Sequence, residues 1–365
     1  MKFTLSTKPF ADALALGIIN SNVSRFYSKS CVAQLTIEGN CLRINLQALQ
    51  IITELTLKGK SDGTGPNIVI VDSMLLKQLV STFEASTTTL ELTDDGLVIH
   101  SGKSKFNLPN VSEVDSTYLD RPVSELDNNT MVSIDKSDWK FIKDNQLYAI
   151  SMSFSYPVYT RVWVSDSSDV LVSDIDNGLF THSNRGKLGS TCLLTDTIIN
   201  LLNSLPEGSK LAKLDNSYLI SAHTDTFSLV SEFTPEYEDD IGSYNSPMIL
   251  KMIEKDNPSI KIPTASVKKF LSQAELLSNS SEDVIKLGLS ANQFYIKDNN
   301  VDCKIEVENS TDIKFDVDFK TKLIKSAICN YTDEFINISP IYQEGELGGL
   351  LMWNDSLSTI LAGVE

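Results

Sequence analysis

The chain has 365 residues, too many for one ordinary hydrophobic core and suited to two or three domains. Hydrophobic residues make up 41% and charged residues 22%, and no apolar run reaches the roughly 18 residues of a membrane span, which argues against a helical membrane protein. A formal net charge of −17 argues against nucleic-acid binding through overall charge, but not against a molecule whose few cations share one surface.

The N-terminal MKFTLSTKPF alternates like a strand and lacks the basic-then-apolar build of a signal peptide, which predicts a cytoplasmic protein. From there a strand, a polar or capping residue and a stretch of helical spacing recur six times. The six are FTLSTKPFADAL from Phe3, IVIVDSMLLKQLV from Ile68, VSIDKSDWKFIKD from Val132, TCLLTDTIINLLN from Thr191, IKIPTASVKKFLS from Ile260 and FDVDFKTKLIKSA from Phe315. Their starts lie roughly 55 to 70 residues apart, too far for a solenoid and right for half of a small domain.

Two or three further strands follow each helix, as in Thr89–Leu108 and Leu219–Phe233. Turn signals stand at Asp95-Gly96, Asp166, Asn177-Gly178 and Asn299-Asn300. Each unit therefore reads as β-α-β-β-β, and two units make a domain with two helices on one sheet face. Three such domains are expected, at residues 1–120, 128–245 and 255–365, with VSEVDSTYLDRPVSELDNN and EYEDDIGSYNSP as polar linkers. The competing reading is that any α+β chain shows such recurrences by chance.

Many cations fall on helices whose other face is apolar. Lys136, Lys140 and Lys143 share a face at i, i+4 and i+7, opposite Phe141 and Ile142. Lys322 and Lys325 stand against Leu323, Ile324, Ala327 and Ile328, and Lys268 and Lys269 beside Phe270, Leu271 and Ala274. Arg25 and Lys29 follow the first helix, and Lys77 lies on the second. Strands and loops are mostly acidic, so helices gathered on one side would give a basic and an acidic side. Ordinary solvated helix faces are the bland alternative, and TDTIINLLN, which lacks lysine, weakens the pattern. With no base-reading motif in the sequence, any DNA contact is expected to be to phosphates.

MKFTLS, GLVIHSGKSKFNL, SYLISAHTDTFSLVSEFTPEYE and KKFLSQAELLSN, in this order and spacing, resemble the bacterial type of DNA sliding clamp over nearly the whole chain. The acidic, divergent style would suit a phage-encoded member. The resemblance implies an α+β clamp fold of three similar domains, with helices lining a ring and sheets outside. It further implies a processivity factor that encircles double-stranded DNA and tethers the replicative DNA polymerase, with a clamp loader as a further partner, no cofactor and no membrane.

Carried over residue by residue, Arg25 matches a family arginine near the inner wall. Lys29, Lys77, Lys136, Lys140, Lys143, Lys268, Lys269, Lys322 and Lys325 are candidates for the rest of the lining. The ring is expected to be a head-to-tail homodimer, with Phe106 and Leu108 matching interface positions on one side and Leu276 and Leu277 on the other. Lys103 and Lys105 alternate with the first pair, and Asp302, Glu306 and Glu308 share a face opposite them. The alternative is that Phe106 and Leu276 are plain core residues. The family's apolar partner pocket would draw here on Val162, Leu179, Phe180, Pro235, Ile241, Met352, Ile360 and Leu361. The chain departs from the family at DIDNGLFTHS, where an arginine is missing, and at the C-terminal LAGVE.

Enzyme readings are weaker. His100, His182 and His223 each sit in a strand pattern outside a recognisable nucleophile context, the paired acids lack calcium-loop spacing, and no phosphate-binding loop is present. The five cysteines are scattered and read as small hydrophobes. The rival from another class is a β-rich structural or interaction protein, such as a virion component.

Overall fold

The computed structural model describes residues 1–18, 32–48, 51–111, 131–153, 155–254, 258–277, 284–298, 301–308, 313–343 and 346–364. Arg25, Lys29, Cys31 and the Asn299-Asn300 turn lie outside the described residues.

All six strand-to-helix junctions form. Strands Lys2–Ser6, Ile68–Asp72, Val132–Ser133, Cys192–Leu194, Ile260–Pro263 and Phe315–Lys320 run into helices α1 (Thr7–Gly17), α2 (Ser73–Val80), α3 (Lys136–Asn145), α4 (Asp196–Ser204), α7 (Thr264–Leu277) and α8 (Thr321–Cys329). Two short helices, α5 (Glu238–Ile241) and α6 (Ser246–Met252), precede α7. At least three strands follow each of the six long helices, so the β-α-β-β-β unit holds throughout.

Local chemistry explains the junctions. Phe3 and Leu5 alternate inward along the first strand, and the period then changes to Phe10, Ala13 and Leu14 along α1. At α2 the Asp72 side chain accepts from the Leu75 backbone N–H at 2.8 Å and caps the helix. Gly96 closes a hairpin at φ 144°, where a Cβ would lie 2.2 Å from the Leu108 carbonyl oxygen, so both the conformation and the space demand glycine.

The sheets differ from the expected single sheet per domain. Successive units exchange their first strands: Lys2–Ser6 joins the three strands of the second unit, while Ile68–Asp72 joins those of the first. The same exchange links Ile260–Pro263 to the strands after α8 and Phe315–Lys320 to those after α7. Strand Phe227–Phe233 pairs with Ile51–Lys58, and Leu179–Asn184 with Ser358–Ala362, giving four sheets of five, eight, eight and four strands.

These sheets fall into two compact units. The first holds Met1–Ser137 with Asp196–Pro235, and contains the five-stranded sheet and one of eight. In it α1 packs on α2 and on the strands Ile51–Lys58 and Phe227–Phe233. Its core includes Phe3, Phe10, Leu14, Leu35, Leu42 and Ile44, all fully buried; each such side chain contributes about 1.5 to 3 kcal/mol.

The second unit holds Asp138–Thr195 with Glu236–Glu365, and contains the other two sheets. Here α7 and α8 pack together, burying Val267, Leu271 and Ala274 against Ile324, Ala327 and Ile328. Within residues 236–247, expected to be a polar linker, Tyr244 and Ser246 are buried in this unit, and Tyr244 has no exposed surface.

Candidate functional site

The second unit carries an apolar cluster that reaches the surface. Tyr244 lies beneath Tyr159 (centroids 5.1 Å) and Trp163 (6.4 Å), joined by Leu171, Leu193, Ile249, Ile253, Leu351 and Ile360. Phe180, Ile241, Leu250, Met252 and Ile341 are half-buried against it. Tyr156, Met248 and Tyr342 are exposed large apolar side chains of the same unit, and Tyr156 meets Tyr159 edge-on at 6.4 Å.

Polar contacts fix this cluster. The Tyr244 backbone N–H donates to Glu238 Oε1 at 3.2 Å, and Arg161 donates to Glu236 through Nε at 2.6 Å and Nη2 at 3.0 Å. Burial pushes the Tyr159 phenol above its ordinary range, with the Glu238 carboxylate and Tyr156 adding to the effect.

Of the residues expected to line a pocket, Phe180, Ile241 and Ile360 belong to this cluster. Val162, Leu179, Met352 and Leu361 do not face outward. All four are at most 1% exposed, because they occupy inward positions of strands whose neighbours carry the rim. Pro235 is buried and is the last residue of the first unit. Sequence reasoning misses Tyr156, Tyr159, Trp163, Tyr244, Leu250 and Ile341; the aromatic density of SYPVYTRVW is the signal that could have found the first three.

Two sheet edges bear the residues expected at a chain-to-chain joint. Ser104–Pro109 is an edge of the five-stranded sheet, and Asp302–Glu306 an edge of the four-stranded sheet. Lys103 and Lys105 are exposed at the first; Asp302, Glu306 and Glu308 are exposed at the second. Phe106 is half-buried and stacks on Phe83 with centroids 5.4 Å apart, beside a 390 Å³ cavity lined by Lys8, Val80, Phe83 and Ala85. Leu108, expected to face a partner, is only 5% exposed and fills its own sheet's core. Leu276 is 84% and Leu277 50% exposed at the end of α7, which removes the core reading of Leu276.

No protein-family model and no curated protein sequence matches the chain. Solved structures do. The Bacillus subtilis DNA polymerase sliding clamp superposes with a TM-score of 0.75 at 15% identity, covering 100% of this chain and 99% of that one. The DNA polymerase III β subunit of Thermotoga maritima gives 0.77 at 13%, again over 100% and 99%. The Helicobacter pylori β clamp, solved bound to a DNA ligase peptide, gives 0.72 at 16% over the whole of both chains. This chain has the sliding-clamp fold.

Within the clamp fold, the helix lysines divide into two groups. Lys136, Lys269 and Lys322 are exposed, and among the described residues they make no hydrogen bond or ion pair. Others are engaged inside the molecule: Lys140 with Asp144, Lys325 with Glu275, Lys77 with the Ile18 carbonyl, and Lys268 with the Cys329 carbonyl at 2.9 Å. Burial holds the Lys77 ammonium below its ordinary pKa. Lys143 is half-buried at its expected helix position. Arg185, absent from the expected lining, lies 4.4 Å over the Phe141 ring and 3.4 Å from Asp138, on the side of α3 away from its lysines.

The histidines are occupied locally. His100 meets Glu91 at 3.3 Å, His182 meets Asp169 at 3.0 Å, and the exposed His223 meets the Ser221 hydroxyl at 3.1 Å. Among the described residues no group of three or more His, Cys, Asp or Glu could hold a metal ion, and no helix is long and apolar enough to cross a membrane.

Proposed function

We propose that the protein is a sliding clamp: two copies close head to tail into a ring around double-stranded DNA and tether the replicative DNA polymerase, without catalysing a reaction themselves. The observation that carries this reading is Leu276, an 84% exposed leucine at a helix end of a chain in which one sheet edge presents Lys105 and another Asp302 and Glu306. A leucine so exposed is a feature of surfaces that associate. A heterologous joint between the Phe106 edge of one copy and the Leu276 end of the other would cover it. The clamp fold supports the same geometry, as three domains at 1–120, 128–245 and 255–365.

In this reading Lys136, Lys269 and Lys322 face the duplex and touch phosphates only. Few flexible cations give weak, salt-sensitive attraction, while closure prevents escape. The apolar cluster around Phe180 and Tyr156 receives the polymerase and a clamp loader by turns, as the Helicobacter pylori clamp receives a ligase peptide. The place of action is the cytoplasm where the DNA is copied.

The test is topological. Protein loaded on a circular duplex should stay bound through gel filtration and leave when one restriction cut linearises the DNA. Retention after the cut would overturn the proposal and favour a structural protein that binds by contact alone.

A further inference from the structure

Carboxylates stand on several of the elements that border the apolar cluster in the second unit. Asp176 stands in the turn that leads into Phe180, next to the exposed Ile175. Glu238 and Asp239 stand on α5 beside Ile241, and Glu238 is close enough to Tyr159 to act on its phenol. Glu254 follows Ile253 at the end of α6. Against these four carboxylates the bordering elements offer Lys251 on α6, exposed, and Arg161, whose guanidinium is taken by Glu236.

We infer that the partner segment docking on this cluster is an apolar peptide flanked by basic residues. The inference rests on the clamp reading for the existence of a partner site and adds the chemistry of the occupant. Tyr156, edge-on to Tyr159, and the half-buried Phe180, Ile341 and Met252 supply the area to be covered, and their aromatic and thioether groups accommodate leucine or aromatic anchors. The carboxylate rim then decides which flanks are tolerated. A peptide carrying aspartate on both sides of its anchors meets like charge at Asp176, Glu238 and Asp239. Lysine or arginine at the same places meets opposite charge; Arg161 stays with Glu236, which leaves Lys251 as one exposed cation against four carboxylates. Rim charges act mainly on the rate of encounter and on the exclusion of wrong partners, so the preference is salt-dependent.

The experiment uses the full chain and two fluorescein-labelled peptides with the same Leu-Phe core, one flanked on each side by two lysines and the other by two aspartates. Fluorescence anisotropy is read at about 50 mM and about 500 mM salt. The expected result is at least a roughly tenfold preference for the lysine-flanked peptide at low salt, shrinking at high salt. Phe180→Ala should abolish binding, and Asp176→Lys with Asp239→Lys should reverse the preference. Equal binding, or preference for aspartate, with Phe180→Ala still abolishing it, overturns the basic-flank inference and leaves the partner site standing. Binding of the lysine-flanked peptide that Phe180→Ala does not affect overturns it too, as adsorption to an acidic protein. Binding of neither peptide overturns both this inference and the partner site, while ring closure on DNA, read by the linearisation test, is unaffected.

Discussion

The Tyr244 hydroxyl donates to Ser173 Oγ at 2.8 Å, and neither residue has exposed surface. One buried hydrogen bond thus pins the segment that carries Tyr244 onto strand Asp169–Asp174 and sets the floor of the apolar cluster. Tyr244→Phe leaves Ser173 without its donor and should cost about 1 kcal/mol. Tyr244→Ala opens a cavity and should cost roughly 3 to 5 kcal/mol. Urea unfolding checks both, and the alanine variant should also lose peptide binding at Phe180.

Alkali should weaken the second unit. Burial raises the pKa of Tyr244 and of Tyr331, whose hydroxyl donates to the Met352 carbonyl at 2.7 Å. A tyrosine whose folded pKa lies above its unfolded value, about 10, stabilises fully below that value and loses the contribution as pH rises further. Each group then costs about 1.4 kcal/mol per pH unit between its unfolded and folded pKa. Lys77, with its pKa lowered by burial, works in the opposite direction, but it belongs to the first unit. Urea midpoints should fall between pH 9 and pH 11, and less steeply in the Tyr244→Phe variant; an unchanged slope in that variant would remove Tyr244 as the cause.

In the proposed ring, closure would depend on an exposed position and so be separable from folding. Leu276→Asp with Leu277→Asp should give a folded monomer, because neither side chain is buried. Light scattering should report one chain instead of two, with an unchanged circular dichroism spectrum.

Charge at the joint should be reversible. Lys105→Glu is expected to weaken dimerisation, and Glu306→Lys on the same chain to restore part of it, with exposed pairs contributing about 0.2 to 1 kcal/mol each. Sedimentation equilibrium of the single and double variants decides this; no rescue would mean that the two side chains do not meet.

The helix lysines should differ in their effect on DNA binding. Lys322→Ala removes a cation with no partner among the described residues and should lower the salt slope by about 1, the share of a single neutralised phosphate. Lys325→Ala removes one already neutralised by Glu275 and should lower it less. Filter binding on circular duplex across a salt series measures both slopes.

The six strand-to-helix junctions are legible in the sequence because each joins two strong periods, as where Phe3 and Leu5 give way to Phe10, Ala13 and Leu14. The exchange of first strands between units is not, because it is a long-range choice that no local pattern encodes. The place of Tyr244 is hidden for a related reason: one aromatic among acids, serines and glycines reads as a linker until a floor of Trp163 and Tyr159 exists to receive it. Of the residues expected at a chain-to-chain joint, Leu276 is exposed, while alternation along Ser104–Pro109 puts Leu108 on the inner face. Of those expected at a pocket, Phe180 is half-buried against the apolar cluster while its neighbour Leu179 faces inward.

The opposite charges of the two open sheet edges also govern what the chain cannot build. An unpaired edge is a template for any other strand, and two identical copies offer each other the same edge to zip like to like. Lys103 and Lys105 would then face their own duplicates, and so would Asp302 and Glu306. Like-to-like pairing is thereby penalised at both edges. In the proposed ring the joint would then have a polarity, and a copy in excess would wait as a monomer instead of pairing with the wrong end.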